Sequence, residues 1–290
     1  MKTTVFEEAG MAVIAGLTLA ISFLPLTCAN GQVTTMIDQY LKGLPDIELT
    51  EKYLQKYLMT VVYYNKDIYG NFFDKVQVSG EYTRGFTDGT VKWNNVRIAH
   101  SKELDGLFPE GEKQEYMEDF TYKPSEDMVN QSAFESFPAN NPNDFNVKNL
   151  VWDMLGFEAF AWAYWDSLKL NCEYAPKNIN GKVDLAGAGY FENRNIKLLL
   201  SGITKMNGEP CAVIQYLAMD NPLQISTEIN GMKIDLKGRS HYWGSVTVSL
   251  EDKQIEQAIL YEDVVMKMNI PGVQTEIADA TRELKVDKLN

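Results

Sequence analysis

Residues Gln224–Lys237 read QISTEINGMKIDLK and carry the clearest structural signal of this 290-residue chain. Apolar or β-branched residues alternate with polar ones on both sides of a central Asn-Gly pair: Ile225, Thr227 and Ile229 before it, and Met232, Ile234 and Leu236 after it. A type I′ turn needs positive φ at both central residues, a conformation that Asn and Gly tolerate best. The stretch therefore predicts a β-hairpin with Asn230-Gly231 at its turn.

Similar alternation surrounds this hairpin. Two further turn signals separate apolar runs: Asn207-Gly208 lies between Ile196–Met206 and Cys211–Leu217, and Glu251-Asp252-Lys253 lies between Val246–Leu250 and Ile255–Tyr261. Val264, Met266 and Met268 then continue the alternation. Short strands at such spacings are typical of an antiparallel meander, here with about seven strands between Val183 and Met268. Because the residues alternate, we expect one face of the sheet to be buried and the other to face water.

The first half of the chain is less regular. Val33–Lys42 and Thr50–Thr60 are interpreted as helices, and Lys75–Arg84 as a strand. Thr87-Asp88-Gly89 predicts a hairpin turn, and the apolar alternation changes phase at Asn94-Asn95, which indicates a β-bulge.

A long polar and acidic stretch, Ser101–Asn146, follows these elements and has little predicted regular structure. Loops of this length within a domain are usually functional or mobile. It is therefore the place where a catalytic site would be sought.

The segment Lys148–Leu168 reads KNLVWDMLGFEAFAWAYWDSL and predicts a helix that is apolar on all sides. A helix of this kind is normally buried, so the simpler interpretation is a core helix packed against a curved sheet. The alternative is a surface for a hydrophobic ligand, formed by Trp152, Phe157, Phe160, Trp162 and Trp165.

The N-terminus predicts export. Met11–Leu26 is one apolar run, followed by small residues up to Gly31, which is the layout of a secretory signal peptide. Lipidation of Cys28 and a buried N-terminal helix are the alternatives. The expected location is the periplasm or the cell surface, with no transmembrane span in the mature chain.

Composition indicates a folded protein without an evident reaction centre. The formal net charge of −13 argues against nucleic acid and anionic membrane as partners. Two His residues argue against a zinc site, and the sequence has no GxSxG, HExxH or phosphate-loop motif. Ser240 and His241 are adjacent and would point to opposite faces of a strand. We therefore predict no catalytic residue, no cofactor and no metal.

Two cysteines follow the predicted signal peptide, Cys172 and Cys211. Export would permit a disulfide between them. The other interpretation is a pair of free thiols, since Cys211 lies in the apolar run CAVIQYL.

The stretch Phe191–Met268 resembles the exported lipoprotein-carrier-like proteins. The resemblance depends on the pattern Leu199-x-Ser201-Gly202, then Met206–Val213, then the meander, together with the signal peptide and the aromatic helix. It implies a half-open antiparallel barrel that wraps around helices and holds an acyl chain. No functional residue of that family can be transferred to a position of this sequence.

These observations predict an α+β protein with a curved, mainly antiparallel sheet, a half-barrel-like meander, packed on a buried aromatic helix. The predicted division is a signal peptide over 1–31, helices, a short β region and the acidic loop over 32–146, and the aromatic helix with the meander over 147–290. The leading functional hypothesis is an exported, non-catalytic protein that binds an apolar, lipid-like small molecule or an envelope protein. The alternatives are a secreted hydrolase acting on carbohydrate or ester and a structural envelope component.

Overall fold

The computed structural model describes residues 38–51, 53–138, 141, 143–177, 179–229, 232–269, 272 and 275–289. The predicted signal sequence Met11–Leu26, Cys28 and the turn residues Asn230-Gly231 lie outside these residues. The elements below belong to one unit, Gln39–Asn290.

A curved, unclosed antiparallel sheet of 13 strands, accompanied by few helices, forms the protein. The strands are β1 Gln55–Asp67, β2 Phe72–Arg84, β3 Val91–Ser101, β4 Glu112–Lys113, β5 Phe120–Tyr122, β6 Glu173–Tyr174, β7 Gly181–Asp184, β8 Gly189–Asn193, β9 Lys197–Met206, β10 Glu209–Ile229, β11 Met232–Ser249, β12 Ile255–Asn269 and β13 Glu276–Leu289. Their main order is β4-β3-β2-β1-β13-β12-β11-β10-β8-β7, with β5 beside β3, and β9 between β10 and β6.

Few helices accompany the sheet. The long helix α1 covers Asp144–Trp162, and residues 38–42 are helical. Short 3₁₀ turns occur at Glu115–Met117, Glu126–Val129, Gln131–Phe134 and Trp165–Ser167. No helix within the described residues is long and apolar enough to cross a bilayer.

Strand β1 occupies most of the segment for which a helix was predicted, Thr50–Thr60, so that prediction is wrong. The buried side chains of β1 recur at every second position: Tyr57, Met59, Val61 and Tyr63. A period of two places them on one face of the sheet, called here the inner face. Strand β13 pairs with β1 along its length, from Lys56 opposite Leu289 to Asp67 opposite Ala278.

The predicted turns agree with the structure wherever it describes them. Asn207 and Gly208 have φ of 50° and 93° and connect Met206 to its partner Glu209, so both turn residues have the positive φ of a type I′ turn. Ile229 pairs with Met232, which confirms the two strands of the hairpin at Asn230-Gly231.

The predicted bulge in β3 is also present. Ser79 pairs with Arg97 and Glu81 pairs with Asn94, which leaves two residues of β3 opposite Gly80. Asn95, one of the two, has a φ of 52°. The extra residue restores the burial phase of the second half of the strand.

The meander has six strands over residues 181–269, β7 to β12, instead of about seven. Two apolar runs that are separate in the sequence, Cys211–Leu217 and Gln224–Ile229, form the single strand β10, which passes an irregularity between Ala218 and Asn221. The runs around Ile234 and Val248 likewise form the single strand β11.

The excursion Ser101–Asn146 contains only short elements before α1 begins at Asp144, which agrees with the predicted lack of regular structure. Four of its side chains are nevertheless buried in the main apolar core, namely Met117, Met128, Phe134 and Phe137. The segment is therefore anchored to the rest of the protein by apolar contacts.

Candidate functional site

A second apolar cluster adjoins the main core, since Trp152 and Phe191 pack against both. Five buried residues form its base: Leu185, Leu223, Ile225, Val264 and Ala280. Six partly buried residues pack against them: Phe145, Trp152, Ala188, Phe191, Leu236 and Met266. Because these six keep part of their surface in solvent, the cluster places apolar side chains at the protein surface.

Cross-strand pairing brings the strand residues of this cluster together. Val264 pairs with Ala280, and two residues further along the same strands Met266 pairs with Ala278. Leu236 lies opposite Ile225 on the neighbouring pair of strands. Helix α1 contributes two of the three aromatic side chains, Phe145 and Trp152, whose rings meet edge to face with centroids 5.8 Å apart.

A buried charged cluster adjoins the second apolar cluster. Arg282 on β13 donates hydrogen bonds to Glu262 on β12 and to Asp153 on α1. Ser240 on β11 donates a further hydrogen bond to Glu262. The side chains of Arg282, Asp153 and Glu262 are only 10%, 14% and 7% exposed. With both carboxyls ionised, one cation faces two anions, and the group carries one excess negative charge.

Burial is the main influence on the ionisation of Asp153. Burial raises the pKa of its carboxyl from 3.8 to about 6, while the charge of Arg282 lowers it and that of Glu262 raises it. Arg282 satisfies both carboxylates through its terminal nitrogens, but its Nε–H is buried and has no hydrogen-bond partner among the described residues. Among the described residues, the charged cluster thus contains one buried N–H donor, the Nε–H of Arg282, that makes no hydrogen bond.

A second ionic contact ties α1 to the first half of the sheet. Glu158 accepts hydrogen bonds from Tyr82 and from Arg84, each at 2.7 Å. The guanidinium of Arg84 lies 4.2 Å from the ring centre of Trp162. Burial raises the pKa of Glu158, and Arg84 opposes that shift. Since each polar atom named here has a partner, this contact serves to position α1.

The five aromatic residues predicted as a ligand surface occupy different environments. Phe157, Phe160 and Trp165 are buried in the main core, where the ring of Phe160 stacks on Tyr216 at 4.7 Å. Trp162 is partly buried and donates its Nε1–H to the carbonyl of Lys253. Trp152 alone among the five also packs against the second apolar cluster. The structure therefore brings one of the predicted residues to this surface.

Two open grooves lie elsewhere. One of about 370 Å³ is lined by Glu173, Lys197, Leu198, Leu199, Gln215, Tyr216, Leu217, Trp243 and Gly244. The other, of about 340 Å³, is lined by Pro124, Ser125, Glu126, Val129, Leu155 and Gly156. Neither groove is lined by any of the five predicted aromatic residues.

The remaining candidate residues have ordinary roles. Ser240 is buried, whereas Nδ1 of His241 accepts a hydrogen bond from the backbone of Asp220, as expected for neighbours on opposite faces. No group of three or more His, Cys, Asp or Glu among the described residues could hold a metal ion.

Cys172 and Cys211 are both free, Cys172 exposed and Cys211 buried. Cys172 precedes Glu173, which pairs with Leu199 of β9, whereas Cys211 pairs with Thr204 of the same strand. These points are more than about 12 Å apart along β9. A disulfide needs Cα atoms within about 7 Å, so Cys172 and Cys211 are too far apart to form one in this structure.

Comparisons with known proteins give one distant likeness. No family model matches the chain, and no curated protein matches it. A solved structure of lipovitellin, described for its lipid–protein interactions, is similar over 84% of this chain with a TM-score of 0.45 and 10% identity. The chain spans 26% of that protein's length. A likeness at this level assigns neither a family nor a function to this chain.

Proposed function

We propose that this protein is an exported, non-catalytic protein that binds a lipid-like apolar ligand at the second apolar cluster. In this proposal α1 packs on the inner face of the curved sheet and supplies one wall of the site. Export is inferred from Met11–Leu26 and the small residues after it.

The observation that carries the proposal is the incomplete burial of this cluster. Its partly buried side chains come from separate elements: Phe145 and Trp152 from α1, Phe191 from β8, Leu236 from β11 and Met266 from β12. Burial of apolar surface is the main favourable term in binding an apolar ligand, at about 25 cal/mol per Å². A surface contributed by several elements, which combines three aromatic rings with aliphatic side chains, suits an acyl chain.

Two neighbouring residues on β12 give a matched test. Met266 packs against the second apolar cluster, whereas Val265 is 47% exposed on the other face. Met266→Lys should weaken binding of an apolar fluorescent probe by about tenfold or more, because it places a charge on the apolar surface. Val265→Lys adds the same charge on the opposite face of the sheet and should leave probe binding unchanged.

Thermal unfolding of both variants separates loss of binding from loss of structure. Equal probe affinity in the two folded variants would contradict the proposed site. Native mass spectrometry of the protein purified from an exporting host provides an independent measurement. A lipid-sized mass that accompanies the wild type and is lost in Met266→Lys is the expected result.

A further inference from the structure

We infer that the second apolar cluster binds an uncharged acyl compound, such as an acyl ester, in preference to the corresponding free carboxylate. This inference rests on the proposed function and names the ligand class for the same site. Arg282, Asp153 and Glu262 are the residues that would set the preference.

The charged cluster and the second apolar cluster lie next to each other on one face of the sheet. Arg282 pairs with Glu262, and two residues away on the same face Ala280 pairs with Val264. Residues two apart on a strand are about 7 Å apart. Trp152, which packs against the apolar cluster, directly precedes Asp153 on α1. A ligand on the apolar surface therefore lies close to the buried charges.

The charge of this cluster disfavours an anionic head group. Arg282 already serves two carboxylates, so a ligand carboxylate would be a third negative charge against one cation. Two unit charges about 8 Å apart repel by about 2 kcal/mol at an effective dielectric constant of 20, which corresponds to more than tenfold in affinity. An ester carries no charge and avoids this repulsion.

The Nε–H of Arg282, unpaired within the described part of the chain, can be satisfied by a neutral acceptor. The Nε–H of Arg282 is buried and has no partner among the described residues, and a buried donor without an acceptor costs free energy. An ester carbonyl oxygen can accept such a hydrogen bond without adding charge.

Titratable or charged groups on five strands interact electrostatically with Asp153. The titratable and charged groups that act on Asp153 or are influenced by it are Tyr63 on β1, Tyr216 on β10, Tyr242 on β11, Glu262 on β12 and Arg282 on β13. Burial raises the pKa of each of the three tyrosines, which therefore stay neutral at physiological pH. Arg282 is consequently the only cation in this group, and the excess negative charge persists whenever Asp153 and Glu262 are both ionised.

The test compares two probes of the same chain length, cis-parinaric acid and its methyl ester, with the full-length protein at pH 8. The wild type should bind the ester at least about tenfold more tightly than the acid. Asp153→Asn removes the excess charge and should strengthen binding of the acid while leaving that of the ester unchanged. Glu262→Gln removes the other carboxylate and should act in the same direction, which keeps the test valid if one variant does not fold.

The matched control is Glu283→Gln, since Glu283 neighbours Arg282 on β13 but is exposed. It should leave both affinities unchanged. If the wild type binds neither probe, the proposed function fails. If it binds both and the acid binds as tightly as the ester, or if neither carboxylate variant narrows the difference, the inference is overturned while the proposed function stands.

Discussion

Replacement of Asp153 by Asn should remove a specific part of the pH dependence of stability. In the folded protein burial raises the pKa of Asp153 from 3.8 to about 6. The folded state therefore binds this proton more tightly than the unfolded state does. The contribution of Asp153 to stability is fully present below about pH 4 and is lost as the pH rises to about 6.

The expected magnitude follows from the two pKa values. A change from 3.8 to about 6 corresponds to about 3 kcal/mol between the two ends of the titration. Asn is close to the protonated Asp in shape and charge, and its carbonyl oxygen can still accept the hydrogen bond from Arg282. The free energy of unfolding of Asp153→Asn, relative to wild type, should thus rise by about 2 kcal/mol between pH 4 and pH 7, because the rest of the titration lies outside this pH range.

Urea unfolding at a series of pH values, followed by tryptophan fluorescence, measures this difference directly. Other carboxyl groups titrate in both proteins, so their contributions cancel in the comparison. Asp166→Asn removes an exposed carboxylate from the turn after α1 and serves as the control for surface charge. A stability difference for Asp153→Asn that stays constant from pH 4 to pH 7 would refute the reasoning.

Two further predictions concern local structure. Gly208→Val should cost about 1–3 kcal/mol of stability, because Gly208 has a φ of 93°, whereas Gly202→Val, in open space on the same hairpin, should be neutral by thermal unfolding. Iodoacetamide should label Cys172 in the native protein but Cys211 only after denaturation, since Cys211 is buried and burial raises its pKa to about 11. Peptide mapping distinguishes the two thiols, and rapid native labelling of Cys211 would contradict its placement.

Local patterns in the sequence determined the turns and several strands. Asn207-Gly208 and the bulge at Asn94-Asn95 are specified by a few adjacent residues, so both were predictable. Strand β1 was not, because Leu54, Tyr57, Leu58 and Val61 also have the spacing of an amphipathic helix. Pairing with β13 on one side and β2 on the other decides in favour of the strand.

Most residues of the candidate site could not be predicted from local patterns in the sequence. Trp152 was one of the five aromatic residues predicted as a ligand surface, but most of its neighbours in the second apolar cluster come from distant strands. Arg282 lies in a charged stretch that shows no obvious strand pattern, and Asp153 is 129 residues away from it in the sequence. Such pairs depend on the register of a long sheet, which a single sequence does not reveal.

The position of β13 has a consequence for how the protein is made. This strand is the last of the 13 in chain order, yet it lies between β1 and β12 near the middle of the sheet. During synthesis, β1 to β5 emerge early and leave one edge of β1 without its partner until β13 has been translated. An unpaired edge is a template for wrong pairing, so we expect the nascent chain to depend on chaperone protection and to complete its folding slowly, after translation.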